Sequence, residues 1–124
     1  MFTETFKNVL NHEGVVSITS WGEEMPHVTC TWNSYLVLKG DNRILLPVAG
    51  MHSTEKDLKV NPNLILTCGA RQVEGFNGYQ GTGFRILGTG RLLNEGAEFD
   101  EMKTKFPFLR SVLEVTVTEA KQLL

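Results

Sequence analysis

Leu64-Ile65-Leu66-Thr67-Cys68-Gly69-Ala70-Arg71-Gln72-Val73 reads as a β-strand, and Phe84 to Leu93 as the strand that returns beside it. Between them, Gly75-Phe76-Asn77-Gly78-Tyr79-Gln80-Gly81-Thr82-Gly83 reads as a glycine-rich loop, a mobile or ligand-facing tip. A long hairpin in the middle of the chain predicts a mainly β fold. Upstream, Val15 to Trp21 is rich in β-branched residues and stops at Gly22-Glu23-Glu24, after which Pro26 opens a second extended run from His27 to Leu38. Gly40-Asp41-Asn42 is a turn signal, because glycine and Asx residues tolerate positive φ, and Arg43 to Val48 follows as a strand paired to the previous one. At the C-terminal end Leu113, Val115 and Val117 alternate with Glu114, Thr116 and Thr118, the pattern of a half-exposed strand.

Three short helices complete the reading. Phe2, Phe6, Val9 and Leu10 recur at helical spacing behind Thr3, a capping residue. Ser53-Thr54-Glu55 offers hydroxyl caps to a short helix that carries Leu58 and Val60 and ends at Pro62. Phe99, Met102 and Phe106 mark the third, which Pro107 breaks. About six strands joined mostly by hairpins, with helices inserted at the ends, predict one domain over residues 1–124: a small antiparallel barrel with helical caps, since closure removes exposed edges.

Composition narrows the function. Charged residues make up 21% of the 124 and hydrophobic ones 41%, which is ordinary for a folded chain. The net charge is −2, and the basic residues are dispersed among acids, so the concentrated field that nucleic-acid binding requires is missing. Cys30 and Cys68 lie in strand patterns without CxxC spacing, which predicts buried reduced thiols rather than zinc ligands. The first ten residues have no long apolar run, so no membrane association is expected and a cytoplasmic location follows.

Two segments have the chemistry of a ligand site. Cys30-Thr31-Trp32-Asn33-Ser34-Tyr35 places two aromatics and four small or polar residues in one strand, with Trp32 and Ser34 expected on one face and Thr31, Asn33 and Tyr35 on the other. A surface strand with a core tryptophan explains that pattern equally well. Pro47-Val48-Ala49-Gly50-Met51-His52-Ser53-Thr54 joins small residues, which admit a ligand close to the backbone, to hydroxyls and free N–H groups at a helix N-terminus, a natural phosphate site. An ordinary capped helix is the simpler explanation of the second segment. Arg71 offers a charge-assisted donor from its strand. The Gly78–Gly83 loop matches neither dinucleotide-binding nor P-loop spacing, and no acid–base constellation stands out, so side-chain chemistry points to binding rather than catalysis.

These residues also carry a resemblance. Glu13-Gly14-Val15-Val16, Pro26-His27, Thr31-Trp32-Asn33-Ser34-Tyr35, Asn42-Arg43-Ile44, Pro47-Val48, Gly50-Met51-His52 and Thr54-Glu55 run in almost unbroken register with the small FMN-binding proteins of sulfate-reducing bacteria. Arg71, Asn77-Gly78, Gly81-Thr82-Gly83-Phe84 and Glu98-Phe99 continue it, so that the chain resembles, over nearly its whole length, the pyridoxamine 5′-phosphate oxidase-like and flavin-reductase-like split barrels. The resemblance implies a six-stranded antiparallel Greek-key split β-barrel, a homodimer, and non-covalent FMN at the dimer interface. It further implies that Cys30 to Ser34 and Pro47 to Met51 line the flavin, with Trp32 and Tyr35 near its ring. Ser53 and Thr54 would hold the phosphate with help from Arg71, Thr82 would belong to the same site, and Leu124 would reach the partner's flavin. Three positions depart from the pattern: Ser53 replaces a lysine, Cys30 an asparagine, and Phe108 a tryptophan.

The function expected on these grounds is electron transfer through FMN, with a redox partner protein or a nicotinamide as donor. An FMN-dependent oxidoreductase, either an NAD(P)H:flavin reductase or an oxidase of a vitamin B6 phosphate, is the alternative. Storage of flavin, or of haem on His12, His27 or His52, is a third.

Overall fold

Thr3 accepts a hydrogen bond from the Phe6 amide at 3.1 Å and starts α1 (Glu4–Leu10), as its sequence predicts, and Phe6 and Val9 face inward with no exposed surface. The computed structural model describes every residue from Met1 to Leu124. After α1 come β1 (Val15–Ser20), β2 (His27–Trp32), β3 (Val37–Lys39), β4 (Arg43–Val48), α2 (His52–Leu58), β5 (Asn63–Glu74), β6 (Gln80–Leu93), α3 (Ala97–Lys105) and β7 (Ser111–Gln122). No helix is long and apolar enough to cross a membrane.

All seven strands form one antiparallel sheet in the order β2-β1-β5-β6-β7-β4-β3. This corrects the expectation of six strands closing on themselves: there are seven, and no ladder joins β2 to β3. The run from His27 to Leu38 is not one strand, because a 3₁₀ turn at Asn33–Tyr35 divides it into β2 and β3. That turn nevertheless dictates the sheet's shape. Laid flat, the two edges would be about 29 Å apart across six gaps of about 4.8 Å. The link from Trp32 to Val37 spans at most about 17 Å. The sheet therefore curls until its edges face each other.

The inside of the curl is filled by Phe6, Ile18, Ile44, Leu46, Leu64, Leu66, Phe84, Ile86, Leu113 and Val115 with smaller neighbours. A second cluster of Leu45, Met102, Phe106, Leu109 and Val112 lies under α3, with the ring of Tyr35 against it. Gly81 and Gly83, expected in a loop, lie in β6 instead, and Gly83 pairs with Gly69 of β5. The reason is steric: a Cβ on Gly83 would sit 2.9 Å from the Cys68 carbonyl oxygen. Only Gly75 to Tyr79 remain as the connection. Cys68 is buried as expected, with its thiol pushed up to about 11 by loss of solvation, whereas Cys30 is exposed, contrary to the reading of both thiols as buried.

On the outer face Glu114 of β7 is buried between Arg91 Nε, 2.5 Å from Oε1, and Arg43 Nε, 3.0 Å from Oε2, while Arg43 also bonds Glu98 of α3. Burial opposes the charge on Glu114, but the two guanidiniums outweigh it and hold the carboxyl below its ordinary range. Asp57 is lowered too, first by its bond to His27. Groups depressed in the folded state contribute stability above the unfolded carboxyl pKa of about 4 and lose it as pH falls through their folded values. Chemical denaturation should therefore show constant stability from pH 7 down to about 5 and a steep loss below about 4, and Glu114→Gln should flatten part of that loss.

Candidate functional site

The 3₁₀ turn at Asn33–Tyr35 positions the aromatic residues. Asn33 has no exposed surface, and its Nδ2 donates to the carbonyls of His12 at 2.9 Å and Gly69 at 3.0 Å, and more weakly to Val9 at 3.4 Å. One side chain thus ties the end of α1 to β5 and stops β2 from continuing. Ser34 turns outward and binds the Glu13 carboxylate through its amide at 3.1 Å and its hydroxyl at 2.7 Å, which holds Glu13 below the ordinary carboxylate range. Asn33 and Ser34 are accordingly occupied in fixing the turn, and they border a cleft beside Lys7 and Lys105.

Trp32, just before this turn, and Tyr35, its last residue, come together. With Thr29, Cys30, Thr31, Pro47, Ala49, Gly50, Met51 and Phe108 they line a cleft of about 270 Å³. Tyr35 packs on Phe106 and Phe108 at centroid distances of 5.1 and 5.7 Å, so one wall is a stepped aromatic surface backed by the α3 cluster. Trp32 is 44% exposed and Phe108 53%. Two aromatic faces left in solvent around a small-residue floor form a slot for a flat ring. At Gly50 an added Cβ would meet nothing within 4 Å, so the floor is open there. Val48 is different: its side chain is in the core, and only its backbone can border a ligand.

An adjoining cleft of about 490 Å³ shares Thr29 and Met51 and is lined further by Pro26, His27, Val28, His52, Ser53 and Thr54. Ser53 and Thr54 do not cap α2 with their hydroxyls as expected. Met51 occupies the cap position in the left-handed region (φ 61°), so both hydroxyl residues fall in the first turn. The loop before α2 is pinned from outside by Arg110, which the sequence reading did not single out. Its Nε donates to the Ala49 carbonyl at 2.9 Å, and its terminal nitrogen to the Gly50 carbonyl at 2.7 Å and to Glu55. Its partners lie 55 to 61 residues away, beyond any local pattern.

Arg71, Thr82 and Leu124 lie elsewhere in the protomer. They border a separate cleft of about 590 Å³ with Ala70, Tyr79, Gln80 and Gly81, where Thr82 Oγ1 donates to the Leu124 carbonyl at 2.6 Å. Apart from Asn33 and Ser34, which fix the turn, and Val48, whose side chain is in the core, the expected site residues fall into two groups, one around the β2–β4–α2 slot and one at the β5–β6 hairpin end.

The sequence of residues 2–124 matches the profile of the family described as pyridoxamine 5′-phosphate oxidase. The chain belongs to that family. Within it, an "FMN-binding protein" of Nitratidesulfovibrio vulgaris (strain Miyazaki F) is 44% identical over all 124 residues and the whole of both chains. Among solved structures, HupZ of Group A Streptococcus superposes with a TM-score of 0.81 at 16% identity, covering 99% of this chain and 94% of its own. An FMN-binding protein of Syntrophomonas wolfei gives 0.77 at 17%, covering 98% and 85%. At such identities the two structures establish a shared fold. The slot fits a flavin on this chain's own features: aromatic walls for the ring, an open floor at Gly50, and hydroxyls in the adjoining cleft for a phosphate.

Proposed function

We propose that this protein binds FMN non-covalently as a homodimer and carries electrons through it. The observation that carries the reading is the slot itself, with Trp32, Tyr35 and Phe108 around a small-residue floor that continues into the Ser53–Thr54 cleft. The 44% identical relative's description as FMN-binding supports the ligand. FMN would supply the redox chemistry; the chain's own residues bind and orient it. Trp32 and Tyr35 cover the ring, the Ala49–Gly50 backbone held by Arg110 sets the floor, and Ser53 and Thr54 receive the phosphate.

A two-fold assembly explains why the site residues are divided within one protomer. The outward face of β1, β2 and β5 carries Ser17, Thr19 and Thr67 beside exposed Val28 and Trp32, a flat surface that a second copy can cover. In such a dimer the Arg71, Thr82 and Leu124 group of one protomer completes the slot of the other. The finer architecture we assign is the split barrel, with the curled sheet's unpaired β2 and β3 edges as its split. Both cysteines are free, which suits a reducing, cytoplasmic setting.

Electron transfer is favoured over an enzyme of the same family because the aromatic slot itself is lined by no histidine or carboxylate. The deciding experiment is the absorption spectrum of the purified protein followed by anaerobic titration with NADH and NADPH. Flavin bands near about 370 and 450 nm that persist until a protein or chemical donor is added support the carrier. Rapid bleaching by a nicotinamide makes it a reductase, and a protein that takes up no FMN refutes the reading.

A further inference from the structure

The cleft assigned to the phosphate contains neither lysine nor arginine. Its lining is Pro26, His27, Val28, Thr29, Met51, His52, Ser53 and Thr54, so histidine is the only side chain there that can carry positive charge. Within the protomer, Arg110 serves two carbonyls and Glu55, Lys56 lines the neighbouring cleft 3.8 Å from Glu24, and Arg71 lies at the hairpin end, outside this cleft. Burying a phosphate dianion without a countercharge is costly.

Of the two histidines, His27 is held. Its Nδ1 is 2.8 Å from Oδ2 of Asp57, a carboxylate only 4% exposed that also accepts from Ser20 at 2.7 Å. Asp57 lies in the middle of this cluster, so Ser20 is not activated by the imidazole. The carboxylate acts on the ring, fixing the Nδ1–H tautomer and leaving Nε2 with no protein partner. The charged groups around His27 are Glu23 and Glu24 from the β1–β2 turn and His52, Lys56 and Asp57 from α2. His52 is exposed and has no carboxylate partner.

We propose that His27, oriented by the buried carboxylate of Asp57, is the side chain of this cleft that receives the flavin phosphate and sets the preference for the phosphorylated flavin. This rests on the FMN reading above.

The test is fluorescence titration of the apoprotein with FMN and, separately, with riboflavin. His27→Gln should weaken FMN by about ten-fold and riboflavin by less than about two-fold, the loss of one charge-assisted hydrogen bond, while His52→Gln should change the ratio of the two affinities by less than about two-fold. Should His27→Gln not fold, Asp57→Asn retains the imidazole without its carboxylate and should likewise weaken FMN more than riboflavin. Equal losses for the two flavins in His27→Gln, or an unchanged FMN affinity, overturn the histidine assignment and leave FMN binding intact. Failure of both flavins to bind overturns the FMN reading, and this inference with it.

Discussion

Replacing Ser53 by Ala and Thr54 by Val together should weaken FMN by about a hundred-fold and leave riboflavin within about two-fold. The estimate takes each hydroxyl as one hydrogen bond to a charged oxygen, worth about 1.5 kcal/mol or more, with a factor of ten for each 1.4 kcal/mol. Thr54→Val is nearly isosteric, and Thr54 is already buried at 3% exposure, so the folded chain should tolerate the change. Riboflavin shares the ring and lacks the phosphate. Paired calorimetric titrations give the answer, and equal losses for the two flavins would remove Ser53 and Thr54 from the phosphate site.

The second large effect is on the fold. Asn33→Ala should lower unfolding stability by about 3 kcal/mol, because the carbonyls of His12 and Gly69 lose a donor within a buried setting and a cavity takes the amide's place. The loss should also reach the slot, since Trp32 precedes, and Tyr35 ends, the turn that Asn33 holds. Flavin binding by this variant should therefore weaken even where the protein is still folded. Urea titration with the flavin spectrum recorded in parallel separates the two effects. A variant as stable as the parent would show that the carbonyls find other donors.

Much of this was legible beforehand, and the divisions are instructive. Arg43–Val48 appears as a strand residue for residue, because the Gly40-Asp41-Asn42 turn is a local signal and Gly40 does adopt positive φ (59°). The Thr3 cap is equally local. The division of the run after His27 was hidden, because it depends on Asn33 finding carbonyls 21 and 36 residues away. Gly81 and Gly83 look like loop residues to any local criterion; their requirement is the backbone of β5. The site follows the same rule. Trp32, Tyr35 and the Pro47–Met51 segment were recognisable as chemistry, whereas Phe108 entered only through the family resemblance. Arg110, Asp57 and the placement of Arg71 with Leu124 in a separate cleft are products of the assembled sheet.

The position of β7 bears on how the chain acquires its structure during synthesis. The strand nearest the C-terminus is interior to the sheet, with β6 on one side and β4 on the other. The β3–β4 hairpin, made early, therefore has no second partner until residues 111–122 have left the ribosome, some seventy residues later. Until then its apolar strand Ile44–Val48 is unpaired along one edge, the kind of surface that recruits chaperones or other nascent chains. Pairings this distant along the sequence also slow the final step of folding. Yield in cells should thus respond to growth temperature and chaperone supply more strongly than the stability of the finished protein would suggest.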